Sequence, residues 1–150
     1  MHPAAALVQG KFPAEVVEVV EFRGDTTLVV KPGRIVAICR LLRDDPQTSF
    51  KYLSMVTGLD YHPQSPRFAV VYNLYSHKNH NRITLKVFLA DGAPVIDSVI
   101  SVWSTADWHE REAYDLMGLR FKGHPNLTRL LLPTDWAGHP LRKEYPQRGQ

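Results

Sequence analysis

The sequence predicts an α+β fold: a two-layer domain with a mixed β-sheet packed by helices on one face, followed by an extended C-terminal tail. Three observations support this. Apolar residues occupy every second position in RFAVVYNLYS and RITLKVFLA, which is the period of a half-buried strand. Apolar residues in GRIVAICRLLRDD recur at helical spacing instead. The segment 121–150 carries four prolines, which oppose regular structure.

The first half of the chain alternates strands with one clear helix. EVVEVVEF and TLVVKP predict two short strands, because Gly24 and Asp25 supply turn chemistry between the β-branched runs. A helix from about Gly33 to Asp45 should follow and end before Pro46. We expect its apolar stripe to bury the single cysteine, Cys39, as a small hydrophobic residue.

The middle of the chain predicts further strands. FKYLSMVTGLDYHP is ambiguous, with a short helix or strand around Leu53 to Val56 and a break at Gly58. The two alternating segments that follow are joined by the polar link HKNHN, so an antiparallel hairpin is expected. After a turn at Ala90 to Pro94, VIDSVISVW predicts one more strand.

The stretch DWHEREAYDLMG predicts a late, highly charged helix. Asp107 is placed to cap its N-terminus, with Glu110 completing a capping-box-like arrangement, and Gly118 is placed to end it. Arg111 and Asp115 are four residues apart and can pair on one face. The expected packed side consists of Trp108, Ala113, Tyr114, Leu116 and Met117.

We divide the chain into a domain over 1–120 and a docking tail over 121–150. From Gly118 onward there are six basic and two acidic residues, although the whole chain has a formal charge of only +3. The tail also contains Trp136 and three consecutive leucines. A segment this apolar and basic is expected to lie on a surface, its own or that of a partner.

Several function classes are disfavoured by the sequence. No segment has the roughly 20 apolar residues needed to cross a bilayer, and the N-terminus does not read as a secretory signal. A single cysteine excludes an internal disulfide framework and an Fe–S cluster held by this chain alone. The pair His109-Glu110 begins like a zinc-protease helix, but Ala113 stands where the second histidine is required.

Catalysis by paired carboxylates stays open as an alternative, with Glu110, Glu112 and Asp115 as candidates. No histidine spacing predicts a metal site, and no glycine-rich phosphate loop is present. A net charge of +3 gives nucleic-acid binding little support. The residues by themselves therefore favour an α+β domain that contacts another protein through its charged helix and tail.

The same region closely resembles the signature of the 30-kDa subunit family of respiratory complex I, the bacterial NADH-quinone oxidoreductase. The likeness is strongest from about Val99 to Pro146, weaker from about Phe50, and limited to layout before that. The positions that carry it are Trp108, Glu110, Arg111, Glu112, Tyr114, Asp115, Gly118, Phe121, Gly123, His124, Pro125, Asp135, Trp136, Pro140, Leu141, Arg142 and Lys143. Thr128 and Glu144 depart from the usual residues, which puts at most one tail contact in doubt.

The resemblance implies a non-redox subunit of the peripheral arm of a proton-translocating NADH:quinone oxidoreductase. It implies no catalytic, cofactor-binding or metal-binding residue in this chain, because FMN, Fe–S clusters and quinone are held by other subunits. The implied partners are the large 49-kDa-like subunit, which helps to form the quinone site, and the neighbouring terminal Fe–S subunit. The implied location is peripheral, on the cytoplasmic side of the cell membrane.

The signature also resembles subunits of related assemblies. These are membrane-bound hydrogenases, F420H2 dehydrogenases and the photosynthetic ferredoxin-plastoquinone complex. In each of them the electron donor is bound by other subunits, so this chain alone does not separate them. In the complex I reading, the signature residues are expected to form an interface between subunits.

Overall fold

The computed structural model describes residues 1–125, 127 and 139. The helices in this part of the chain are α1 (Pro3–Lys11), α2 (Ile35–Asp44) and α3 (Ala106–Met117). The strands are β1 (Val16–Phe22), β2 (Asp25–Val30), β3 (Tyr52–Asp60), β4 (Phe68–Ser76), β5 (Asn81–Phe88), β6 (Val95–Asp97) and β7 (Arg120–Lys122). None of the helices described is long and apolar enough to cross a bilayer.

Five strands form a mixed sheet in the order β1-β2-β5-β4-β3. Strands β2 and β5 run parallel, and the other neighbouring pairs are antiparallel. Strands β6 and β7 form a separate two-stranded parallel sheet. This architecture confirms the predicted α+β fold with a mixed sheet.

Two hairpins follow the turn chemistry of the sequence. Arg23 and Gly24 join β1 to β2 with φ angles of 52° and 85°, so the turn uses the left-handed backbone that glycine adopts without strain. The predicted hairpin between β4 and β5 is also confirmed. Its link is tied to the rest of the domain by the Asn79 side-chain amide, which donates to the carbonyls of Gln47 and Thr48 at 3.1 Å each.

The core lies between the sheet and the helical layer. Leu28, Leu85 and Tyr72 pair across three neighbouring strands and are fully buried. Helix α2 meets them with its predicted stripe, every member of which is inaccessible to solvent: Ile35, Ile38, Cys39 and Leu42. Truncating one such leucine to alanine is expected to cost about 2–5 kcal/mol of stability.

The opposite face of the sheet carries no helix in the part of the chain described. Side chains alternate along a strand, so Thr27, Asn73 and Thr84 point away from the core. Thr84 Oγ1 and Asn73 Oδ1 lie 3.1 Å apart there. These residues line an open groove of about 560 Å³.

Helix α1 has no counterpart among the sequence-based predictions. Pro3 occupies its first turn, where a missing N–H costs nothing, and the His2 side chain accepts a hydrogen bond from the Ala4 N–H at 3.0 Å. Its buried residues are Ala4, Ala5 and Val8. An alanine-rich helix without an apolar stripe gives pattern analysis little to detect.

Gly58 does not break the chain as predicted; it lies within β3. A Cβ atom at this position would lie 2.7 Å from Leu119 Cδ1 and 3.1 Å from Met117 Cγ. The missing side chain therefore lets the end of α3 approach the strand. The alternative of a helix around Leu53 to Val56 is resolved in favour of a strand.

The prediction of one strand through VIDSVISVW was wrong beyond its first residues, because β6 ends at Asp97. The backbone then curls, and the N–H groups of Val102 and Trp103 both donate to the Val99 carbonyl. Strand β7 was also missed. It spans the predicted boundary between residues 120 and 121, and Phe121 is buried. Most of the proposed tail lies outside the described residues, so its extended conformation stays a prediction.

Candidate subunit interface on helix α3

Helix α3 begins at Ala106 and ends at Met117. Gly118 ends it as predicted, with a left-handed φ of 77° and its N–H donating to the Tyr114 carbonyl. The predicted N-cap was wrong: Thr105 occupies that position and makes no side-chain capping bond. Asp107 lies in the first turn instead, where a carboxylate faces the positive end of the helix dipole.

The buried face of α3 is a narrow stripe facing the domain. Ala106, Glu110, Ala113 and Met117 recur every three or four residues and are all buried. The prediction that Trp108 belongs to the packed side was wrong, because 54% of this residue is exposed. A carboxylic acid therefore takes a core position, and a tryptophan faces outward.

Glu110 does not form a capping box. Its carboxylate accepts a hydrogen bond from Ser98 Oγ and another, at 2.9 Å, from the Val99 N–H. These two bonds attach α3 to the loop that follows β6. Burial raises the pKa of Glu110 above its usual value, and the two hydrogen bonds oppose that rise only in part. The sequence contained one signal for this role, since Glu110 lies on the same helical stripe as three apolar residues.

The outer face of α3 is also contacted by the rest of the chain. At about 100° per residue, Asp115 lies about 180° around the helix from Ala106, yet it too is fully buried. His139 Nδ1 is 2.9 Å from the Asp115 carbonyl oxygen, and the His139 and Tyr114 rings are 6.1 Å apart. His139 therefore lies against the last turn of α3.

A second histidine, His124, contacts the first turn of α3. His124 Nε2 lies 3.0 Å from Asp107 Oδ1 and 3.3 Å from the Asp107 carbonyl oxygen, and its side chain has no exposed surface. Gly123 precedes it with a left-handed φ of 85°. That backbone conformation, which glycine adopts readily, is part of the turn that directs His124 toward the helix.

The remaining residues of the family signature differ in their exposure to solvent. Arg111, Glu112 and Tyr114 are half-buried, while Pro125 is exposed. The Arg120 guanidinium lies 5.6 Å from the Tyr114 ring centroid. A direct Arg111–Asp115 pair stays a prediction. The signature residues outside the described part of the chain are Asp135, Trp136, Pro140, Leu141, Arg142 and Lys143.

The described surroundings of α3 consist of packed and hydrogen-bonded side chains. No group of three or more His, Cys, Asp or Glu side chains that could hold a metal occurs within the described residues. A cleft between α3 and β3, bordered by Glu112, has a volume of about 50 Å³. This is room for roughly one or two water molecules.

Comparison with known proteins agrees with this geometry. Residues 28–150 match the family model described as "Respiratory-chain NADH dehydrogenase, 30 Kd subunit". The chain is 47% identical over 146 residues to an NADH-quinone oxidoreductase subunit of Geotalea uraniireducens (strain Rf4), covering 97% of this chain and 88% of the relative.

Two solved structures share the fold. One is "Nqo5 of the trypsin-resistant fragment (1-134)", with a TM-score of 0.68 and 27% identity over 85% of this chain and 100% of the fragment. The other is a chain of the membrane-bound sulfane sulfur reductase, an archaeal respiratory membrane complex, with a TM-score of 0.79. It covers 95% of this chain and 83% of its own length at 18% identity, so this likeness concerns the fold alone. With the family model matching most of the sequence, the chain belongs to the 30-kDa subunit family of respiratory-chain NADH dehydrogenases.

Proposed function

We propose that this chain is a non-redox, peripheral-arm subunit of a proton-translocating NADH:quinone oxidoreductase. In this proposal it scaffolds the 49-kDa-like subunit, which helps to form the quinone site, beside the terminal Fe–S subunit. The observation that carries the proposal is where the residues of the family signature lie in the fold. Glu110, Asp115 and His124 are buried or bonded within the chain, while Trp108 is left exposed on the same helix as the two acids.

An exposed tryptophan next to half-buried charged residues suits an interface between subunits. Tryptophan and arginine dominate binding energy at protein interfaces, because they bury large areas and offer polar groups at their edges. Trp108 is 54% exposed, and Arg111 follows it on the outer side of α3. We assign this surface to contact with the 49-kDa-like subunit.

The lack of a cofactor held by this chain is part of the proposal. Cys39 is the only cysteine in the sequence, and it is fully buried. Burial raises the pKa of its thiol, chiefly by desolvation, whereas metal ligation requires the thiolate. This chemistry supports the assignment of the Fe–S clusters to other subunits, and we propose that FMN and quinone are held there too.

We also propose that the chain has no active site of its own. Among the three acids considered for catalysis, Glu110 is committed to Ser98 and Val99, and Asp115 is fully buried. A glycosidase-type pair requires both carboxyl groups to reach one substrate bond. The roughly 50 Å³ cleft beside Glu112 is too small for a sugar residue.

The related assemblies remain the second candidate, for a specific reason. The fold is shared, with a TM-score of 0.79, by a chain of an archaeal respiratory membrane complex that is named as a sulfane sulfur reductase. The fold therefore does not separate an NADH-dependent complex from a membrane-bound hydrogenase, an F420H2 dehydrogenase or a ferredoxin-plastoquinone complex. We favour the NADH:quinone complex because the 47% identical relative is named as an NADH-quinone oxidoreductase subunit.

The test is affinity purification from native membranes. A tag added ahead of Met1, which is 74% exposed, should not disturb the fold. After gentle detergent extraction, mass spectrometry should identify the 49-kDa-like subunit, Fe–S subunits and flavin- and NADH-binding subunits. A nickel-site subunit or an F420-binding subunit would transfer the chain to a related complex. Recovery of the chain alone from membranes that hold an intact complex would contradict the scaffold role.

The same preparation tests location. We propose a peripheral position on the cytoplasmic side of the cell membrane. Protease added to inside-out vesicles should reach the tag, whereas protease added to intact spheroplasts should not. The reverse pattern would contradict the assigned side.

A further inference from the structure

Strand β1 forms a free edge of the five-stranded sheet. It is the last strand in the sheet order, and β2 is its only strand neighbour in the described part of the chain. The end of α3 contacts β3, which is the opposite edge of the sheet, about 19 Å away at a strand spacing of about 4.8 Å. The edge at β1 is therefore separate from the surface around Trp108.

Backbone groups along the β1 edge lack hydrogen-bond partners. The turn after β1 has two residues, so Phe22 and Asp25 form a hydrogen-bonded pair and every second residue of β1 bonds to β2. The alternate residues Val19 and Glu21 direct their N–H and carbonyl groups away from the sheet. Within the described residues, these outward groups make no backbone hydrogen bond. Such a row of donors and acceptors is a template for one more strand.

The side chains of β1 leave this edge open to pairing. The strand Val16–Phe22 contains neither lysine nor proline, the residues that commonly block strand addition. Its bulge is at the N-terminal end and leaves the run 18–22 regular. Of the eight large apolar residues exposed in the described part of the chain, three lie on this strand, namely Val17, Val20 and Phe22. An added strand would cover Val20 and Phe22, which share the outer face of the sheet.

Charge selects the kind of strand that fits the edge. Glu18 and Glu21 are exposed on opposite faces of β1, and neither forms an ion pair with another described residue. Pairing with β1 of a second copy would bring four carboxylates together without a cation, which opposes self-association. Lysine or arginine on the added strand would instead place opposite charges beside both acids.

We propose that the β1 edge binds an extended, basic segment of a partner protein, which adds to the sheet as a further strand. Main-chain hydrogen bonds to Val19 and Glu21 supply the pairing, and β-branched or aromatic residues of the segment cover Val20 and Phe22. Basic side chains of the segment provide the selection, through the two acids. The inference goes beyond the proposed function, because it assigns a second docking surface and does not depend on which subunit meets α3.

The first experiment uses a defined probe, a short peptide of alternating valine and lysine, with the purified full-length chain. Hydrogen exchange measured by NMR should slow by roughly tenfold or more at the Val19 and Glu21 amides when the peptide binds, because these N–H groups become donors. Exchange at Val20, which already bonds to β2, should slow less. A matched peptide of alternating valine and glutamate should give no protection. Equal protection by both peptides, or protection by neither, would overturn the proposal.

Two variants of Glu21 separate strand pairing from charge. Glu21→Pro removes an outward N–H and keeps the bonds to β2; proline is tolerated there on an edge strand, so the fold should persist while protection of Val19 is lost. Glu21→Lys keeps the N–H and should weaken binding of the lysine peptide about fivefold. Asp97→Lys, at an exposed acid on β6, is the matched control and should leave binding unchanged. Undiminished binding in both Glu21 variants would contradict strand addition at this edge.

The natural occupant can be identified in the assembled state. In the chain extracted with its native partners, the β1 amides should exchange more slowly than in the isolated chain. A carbodiimide, which joins a carboxylate to a neighbouring lysine, should couple Glu18 or Glu21 to a partner segment rich in β-branched or aromatic residues, identified by mass spectrometry. Equally fast exchange in both states, or coupling only to a second copy of this chain, would overturn the proposal.

Discussion

The carboxylate of Glu110 accepts the Val99 backbone N–H at 2.9 Å, which joins the inner face of α3 to the loop after β6. The same carboxylate accepts the Ser98 hydroxyl. A buried acid with two donors is a specific joint, because an apolar residue in its place would leave both donors without an acceptor. This joint fixes the position of the helix that presents Trp108.

Glu110→Gln should change the pH dependence of stability. The pKa of Glu110 is raised in the folded protein, so its protonated form is favoured there over the unfolded chain. Protonated Glu110 contributes its full stabilisation at pH values below the pKa of a glutamic acid in the unfolded chain, about 4.3. This stabilisation is lost as the pH rises through the pKa of Glu110 in the folded protein. The variant lacks this decrease, so the difference in free energy of unfolding between the variant and the unmodified protein should shift in favour of the variant as the pH rises above about 4. Urea unfolding across that range measures the difference. Glu112→Gln, at a half-buried position on the same helix, is the matched control.

Tyr72→Phe should stabilise the domain. The Tyr72 hydroxyl is fully buried and has no hydrogen-bond partner within the described part of the chain. Burial raises the pKa of this phenol well above its usual value, so it remains neutral throughout the physiological range. Removing an unsatisfied hydroxyl at constant ring volume should raise the free energy of unfolding by about 1 kcal/mol. Thermal and urea unfolding check this, and a loss of stability would mean that the hydroxyl has a partner. Tyr75→Phe, on the half-buried outer face of β4, is the control.

Gly58→Ala should destabilise the contact between β3 and the end of α3. The new Cβ would come within 2.7 Å of Leu119 Cδ1 and 3.1 Å of Met117 Cγ. Overpacking of this kind costs about 1–3 kcal/mol, which exceeds the roughly 0.4–1 kcal/mol gained by restricting the unfolded chain. Gly92→Ala has no heavy atom within 4 Å of the new Cβ and should be neutral. Equal unfolding free energies for the two variants would contradict close packing at Gly58.

Trp108→Ala should separate binding from stability. Because the side chain is largely exposed, the free energy of unfolding should change by less than about 0.5 kcal/mol. Capture of the 49-kDa-like subunit should weaken by about 2 kcal/mol, roughly thirtyfold in Kd, if Trp108 anchors the interface. Tyr52→Ala is the matched control, since Tyr52 is 47% exposed on a different element. Equal losses of capture in both variants would remove the case for α3 as the interface.

The sequence by itself determined the elements with strong periodicity. The alternation in β4 and β5, the apolar stripe of α2 and the turn at Gly24 each specify local structure through a repeat or a backbone requirement. The family followed from an ordered series of residues between Val99 and Pro146, because side-chain identity in order is a property of sequence alone. The stop of α3 at Gly118 was equally local, since it needs only a residue that accepts a positive φ.

Only the tertiary structure decided which polar residues are buried. Residue type predicted Trp108 on the packed side, and capping-box spacing predicted Glu110 at the N-terminus. In the fold the loop after β6 supplies two donors for Glu110, and no described element packs over Trp108. A break in the chain was predicted at Gly58 because of its residue type. In the fold, the absence of a side chain at Gly58 leaves space for Leu119, more than fifty residues later. The contact of His139 with the Asp115 carbonyl likewise depends on the tertiary structure. Such contacts join residues distant in sequence, and a hydrogen bond or a steric fit across that distance leaves no periodic trace in the chain.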